Sequence, residues 1–143
     1  MINPAAVLSA LGQRTRKNVT PGEAARELVR RGMPASALTS LAKQLGIALS
    51  DLEAIVGIPP ATAARKRATN ETLKPVLSDR AFRIAHILTF ATEVLESRDK
   101  AASWLRTPNR ALRGEAPLMM LDTEIGSREV EQVLGRIEAG VYS

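Results

Sequence analysis

The strongest constraint on this chain is its helix punctuation, which recurs at short intervals and leaves room for little else. Thr20-Pro21-Gly22-Glu23 has the form of a capping box, in which a hydroxyl and a glutamate three residues on satisfy the free amides of a first turn. It opens a helix that runs to about Arg31 and stops at Gly32. Pro34 or Ser36 opens the next, which closes at Gly46. Ser50-Asp51-Leu52-Glu53 reads as a further capping box whose helix ends near Gly57, and Ile58-Pro59-Pro60 restarts the chain for a helix that breaks at Thr69-Asn70. Helices this short are marginal alone and must pack on one another.

Composition agrees with that reading. Aromatic residues make up 3% of the 143, and no run of alternating β-branched residues demands a sheet, so the expected fold is all-α. The chain has no cysteine, which excludes disulfide staples and thiolate metal sites. Its start lacks the basic-then-apolar pattern of a secretory signal, and no apolar run reaches the roughly 18–20 residues that span a bilayer. The expected location is therefore the cytoplasm, with no membrane partner.

Charge divides the chain in two. Residues 1–75 hold 11 Lys/Arg against 5 Asp/Glu, a net of +6, whereas residues 76–143 hold 9 against 10, a net of −1. A basic half suits a polyanion, because Lys and Arg neutralise phosphates and release condensed counterions; the other half suits a protein surface. Two short helices joined by a glycine turn, within about 33–70, make a helix-turn-helix, with Leu52, Val56 and Ile58 as its internal contacts and Ala63 facing the first helix. Glu53 is the unusual residue, standing where such motifs commonly place a small one. The second helix has the order of a recognition helix, with Thr62 near its start for base edges, then Arg65, Lys66 and Arg67 for phosphates, and Thr69 at the polar break. The same three cations also suit a solvated helix end favoured by the helix dipole.

A long amphipathic helix is expected from Leu77-Ser78-Asp79-Arg80 onward, with Phe82, Ala85, Ile87, Leu88, Phe90, Ala91, Val94 and Leu95 forming a wide apolar band. His86, the single histidine, has no second ligand or nucleophile to pair with and reads as a surface or interface residue. Residues 1–19, with Asn3-Pro4 as a cap and Arg14, Arg16 and Lys17 in a loop, match nothing specific. The expected division is 1–76, a helical region carrying the helix-turn-helix, and 77–143, a linker helix with a small C-terminal domain.

In the last forty residues, Thr107-Pro108 reads as a cap with proline at the first helical position, Gly114 closes that short helix, and Pro117 starts another turn. From Thr123 to Ala139, Ile125, Val130, Val133, Leu134 and Ile137 recur at helical spacing, and Gly140 stands at the C-cap. The spacing of Trp104-Leu105, Pro108-Asn109, Leu112, Gly114, Pro117-Leu118, Leu121, Gly126, Val130, Leu134, Arg136-Ile137 and Gly140 closely resembles the toxin-binding domain of the Xre/MbcA/ParS antitoxins. The likeness extends over roughly residues 33–143. It implies an N-terminal Xre-like helix-turn-helix domain joined by a long helix to a small helical toxin-binding domain.

The resemblance also implies partners: a cognate RES-domain toxin that degrades NAD, operator DNA, and a homodimer within a higher toxin–antitoxin assembly. The expected toxin contacts are Trp104, Glu131, Arg136, Glu138, Val141, Tyr142 and Ser143. From Leu118 to Ser143, Arg128 and Arg136 face Asp122, Glu124, Glu129, Glu131 and Glu138, a net of −3. With the chain carboxylate just beyond Val141 and Tyr142, such an end imitates an anion and suits the mouth of a pocket built for the phosphates of NAD.

No catalytic constellation competes with this reading. There is no phosphate-binding glycine loop, histidine pair or Gly-x-Ser-x-Gly elbow, and Asp122 with Glu124 reads as charge at a helix N-terminus. No cofactor or metal is expected, and the chain is not expected to be an enzyme. The rival is a stand-alone dimeric repressor or adaptor whose C-terminal domain binds another protein or ligand. An adjacent reading frame of toxin size favours the antitoxin, and its absence the rival.

Overall fold

The computed structural model describes residues 2–15 and 18–140, and among them it is all-α. Eight α-helices follow one another: α1 Pro4–Ala10, α2 Pro21–Arg31, α3 Ser36–Leu45, α4 Leu49–Val56, α5 Pro60–Thr69, α6 Pro75–Leu95, α7 Arg98–Arg106 and α8 Glu124–Glu138. Two short 3₁₀ turns, Arg110–Leu112 and Pro117–Met120, lie between α7 and α8. No helix among the described residues is long and apolar enough to cross a membrane.

The punctuation behaves largely as expected. The Thr20 hydroxyl accepts from Glu23 N at 3.2 Å while the Glu23 carboxylate accepts from Thr20 N at 3.2 Å, closing the capping box of α2. Gly46 and Gly57 end α3 and α4 in the left-handed conformation, and Asn70 ends α5 in the same way, at φ 50°.

Three expected starts move. α4 begins at Leu49, with Ala48 as its N-cap and no side-chain cap, because Glu53 turns inward instead of reaching back to Ser50. α6 begins at Pro75, and Ser78 is a buried staple: its Oγ accepts from Met33 N at 2.9 Å and lies 3.4 Å from Leu73 O. Thr107 closes α7 rather than opening a helix, donating to Ser103 O at 2.6 Å, and Asn109 caps the turn that follows through Ala111 N at 2.9 Å.

α6 is the spine. It packs against α1, α2, α3, α4, α7 and α8, so its buried Ala81, Ile84, Ala85, Ile87, Leu88 and Ala91 meet both halves of the chain. One continuous apolar cluster results, running from Val7 and Leu8 in α1 through Leu41, Leu52 and Leu88 to Leu105, Leu121 and Leu134. Fully burying each such leucine is worth about 1.5–3 kcal/mol. α1 is a full member of this core, with Val7, Leu8, Ala10 and Leu11 buried. Ile125 departs from its expected place on the apolar stripe of α8, being 74% exposed.

Candidate functional site

α4 and α5 form the helix-turn-helix. Leu52, Val56, Ile58 and Ala63 are buried, and the turn is set by Gly57 at φ 92° with Ile58 N donating to Glu53 O at 2.9 Å. Pro60 starts α5 because it brings a preset φ and needs no amide partner in the first turn. Ala61, Ala64 and Ala68 are exposed on α5, so the helix backbone can come close to a groove along that face.

The fold separates the three cations that stand together in sequence. Arg65 is exposed and pairs with Glu71 at 3.6 Å. Lys66 is buried, and its ammonium donates to Thr72 O at 2.9 Å, so it braces the loop after α5 instead of facing outward. Arg67 donates to Glu53 Oε1 at 2.7 Å; its side chain keeps 40% exposure, whereas that of Glu53 has 7%. The departure noted at Glu53 is thus a built ion pair between α4 and α5. Thr62 is half-buried near the start of α5. The Thr69 hydroxyl lies 3.1 Å from Arg65 O and 2.8 Å from the Glu71 carboxylate.

The second candidate surface spans α7 and α8. Trp104 is half-buried against the core and, with Leu95, Asp99, Lys100, Ser103 and Thr107, lines a shallow open depression. Glu131 is half-buried and lies 4.0 Å from His86 Nδ1 across the α6–α8 contact; Arg136 and Glu138 are exposed near the end of α8. α7 and α8 both pack on α6 and on the turn at Pro117–Met120, which links Trp104 to the α8 residues through shared supports. Val141, Tyr142 and Ser143 lie outside the described residues, as do Arg16 and Lys17. Arg113 donates to Glu129 at 2.9 Å, and that hydrogen bond, with the negative charge behind it, holds the guanidinium above its ordinary pKa.

Sequence reasoning missed the joints between the two surfaces. Arg106, at the end of α7, donates to Gly46 O at the C-terminus of α3 at 3.1 Å. Arg98 donates to Gln44 at 2.8 Å and to Thr92 Oγ1 at 3.1 Å, and Arg80 donates to Val56 O at the end of α4 at 3.2 Å. Arg106 and Arg80 meet otherwise unpaired carbonyls at the negative ends of α3 and α4, and Arg98 adds a side-chain bond to Gln44, so the three fix α3 and α4 relative to α6 and α7. Their exposed or half-exposed positions in a polar stretch carry no periodic signal. A groove of about 390 Å³ remains between the halves, lined by Ile47, Asp51, Ile55, Arg106, Leu118 and Met119 among others.

Comparison with known proteins meets this geometry. Residues 24–86, which hold most of α2, then α3–α5 and the first half of α6, match the Antitoxin Xre-like helix-turn-helix domain. Residues 90–140, from the end of α6 through α8, match the Antitoxin Xre/MbcA/ParS C-terminal toxin-binding domain. An Antitoxin Xre of Yersinia enterocolitica is 28% identical over 116 residues, covering 80% of this chain and 78% of that protein. An Antitoxin Xre of Pseudomonas putida is 36% identical over 83 residues, covering 58% of this chain and 52% of that protein. A protein of Sphingobium named Prs ADP-ribosylating antitoxin is 26% identical over 125 residues, covering 81% of this chain and 79% of that protein. With a helix-turn-helix and a toxin-binding domain matched in order along one helical body, the chain belongs to the Xre/MbcA/ParS family of antitoxins.

Proposed function

We propose that this chain is the antitoxin of a type II module that masks the active site of a RES-type, NAD-degrading toxin and represses its own operon as a homodimer. The observation that carries the reading is the pairing, in one chain, of a helix-turn-helix whose α5 exposes Arg65 and Arg67 with a matched toxin-binding domain on the other side of α6. In this reading residues 1–76 serve the operator and residues 77–143 the toxin. The DNA-facing set is Thr62, Arg65, Arg67 and Thr69 at the surface, with Lys66 bracing α5 from within and adding its charge to the local potential.

The toxin-facing set is Trp104, Glu131, Arg136, Glu138 and the terminal Val141, Tyr142 and Ser143. Acidic residues of α8 offer negative charge to a pocket that holds the phosphates of NAD. One relative bears the name Prs ADP-ribosylating antitoxin, and ADP-ribosyl transfer draws on NAD, which supports an NAD-consuming partner. The test is co-expression with the neighbouring gene, co-purification, and an NAD assay. Recovery of a complex in which NAD consumption is suppressed supports the reading; a neighbour that neither co-purifies nor consumes NAD overturns the RES assignment.

A further inference from the structure

The crossing between the ends of α2 and α5 carries more positive charge than the fold uses. Residues 32–36 run beside residues 70–73: Leu73 N donates to Met33 O at 2.8 Å, Ala35 N to Glu71 O at 3.2 Å, and Ser36 N to Asn70 Oδ1 at 3.2 Å. The approach is close enough that a Cβ at Gly32 would overlap the Leu73 carbonyl. The last turn of α2, with Arg30 and Arg31, is thereby set against the stretch from Arg65 to Lys74.

Six cations meet there, Arg30, Arg31, Arg65, Lys66, Arg67 and Lys74, against the three carboxylates Glu27, Glu53 and Glu71. Every carboxylate is engaged: Glu27 by Arg31 at 3.5 Å, Glu71 by Arg65 at 3.6 Å and Glu53 by Arg67 at 2.7 Å. Arg30, Lys66 and Lys74 are left with no carboxylate in ion-pair range among the described residues, and Arg30 and Lys74 are exposed.

Local stability explains Arg30, which sits at the negative end of α2, but argues against Lys74. Lys74 is the N-cap of the 21-residue α6, where Ser, Thr, Asp or Asn is preferred, and its side chain makes no capping hydrogen bond. Its ammonium also stands at the positive end of the longest helix dipole in the molecule. A residue that breaks a local rule with no compensating contact points to a role outside the fold.

We propose that this crossing, through Arg30 and Lys74, grips the phosphate backbone of duplex DNA beside the site of α5. The inference rests on α5 being the DNA-facing helix, and it extends the contact surface beyond that helix. A row of phosphates suits the patch because the bonds between residues 32–36 and 70–73 set the end of α2 beside the end of α5, and because Glu27, Glu53 and Glu71 are each engaged by an arginine.

The test uses the full chain and a duplex from the stretch upstream of its own reading frame, beside a scrambled duplex of equal length, over a salt series. In Arg30→Ala/Lys74→Ala the slope of log K against log salt should fall by about two, and binding to both duplexes should weaken alike, because phosphate contacts read no bases. Lys74→Ser alone should lower the slope by about one while leaving the melting temperature equal or higher, since serine is the better cap, which separates lost contact from lost fold. An unchanged slope while the wild type binds DNA overturns the strip and leaves α5 in place. Unchanged slope with weakened toxin capture overturns it too and assigns the patch to a protein. A wild type that binds neither duplex overturns the reading of α5 and the strip with it.

Discussion

The Arg67 guanidinium lies 2.7 Å from the Glu53 carboxylate and ties the last turn of α5 to the middle of α4. Because Glu53 is nearly enclosed while Arg67 still reaches water, the carboxylate depends on its partner more than the partner depends on it. Arg67→Ala strands a buried charge, for which the expected loss is about 1–3 kcal/mol, below the cost of breaking a fully enclosed pair. Glu53→Gln with Arg67→Met should recover part of it. Urea unfolding of the two variants checks the order; equal stability of Arg67→Ala and wild type would remove the pair from the account of how the helix-turn-helix holds its angle.

Replacing Arg65, Lys66 and Arg67 together removes two supports of the fold along with any DNA contact. The cleaner probe is Arg65→Ala, whose one ion-pair partner among the described residues is the exposed Glu71. Its stability should stay within about 0.5 kcal/mol of wild type, and the salt slope of operator binding should fall by about one. Toxin neutralisation should be unaffected. A normal slope would take Arg65 out of the DNA surface.

Two glycines of α8 should respond with opposite signs. A Cβ at Gly126 would overlap Met120 O, which is backbone and has little room to give, so Gly126→Ala is expected to cost at least about 2 kcal/mol. Nothing lies within 4 Å of a Cβ built at Gly135, in the last turn of the same helix, so Gly135→Ala should stabilise by about 0.5–1 kcal/mol. Thermal melts decide, and destabilisation at Gly135 would contradict the open space seen beside it.

Truncation after Ala139 removes Gly140, Val141, Tyr142 and Ser143 and leaves every core residue among the described residues in place. The helical signal and melting temperature should persist while the toxin complex weakens. If the shortened chain still rescues growth and suppresses NAD loss, the contact lies on the face of α8 or around Trp104 instead.

Features governed by one or two turns of chain were legible in the sequence. The Thr20 capping box, the Asn3 cap and the helix ends at Gly46, Gly57 and Asn70 all answer to local backbone chemistry. What failed depended on contacts far along the chain. Ser78 resembles a cap until Met33 N is seen to claim its hydroxyl, and Ser50 resembles one until Glu53 is drawn to Arg67. Lys66 offered a usable signal: it follows the inward Ala63 by three residues, hence shares its face, and only the adjacent arginines hid that. Arg80 and Arg106 gave none, because a backbone carbonyl acceptor leaves no mark on the sequence, and Arg98 gave none because its partner Gln44 lies 54 residues away.

The burial of α1 bears on where this molecule can safely be cut. A fragment begun at residue 24, the first residue matched by the helix-turn-helix family model, would lack Val7, Leu8, Ala10 and Leu11 and leave a greasy trough along α6. Such a fragment keeps every residue assigned to DNA and to toxin, yet it presents a sticky flank that invites self-association. Oligomers measured on it would report the missing helix rather than the native assembly.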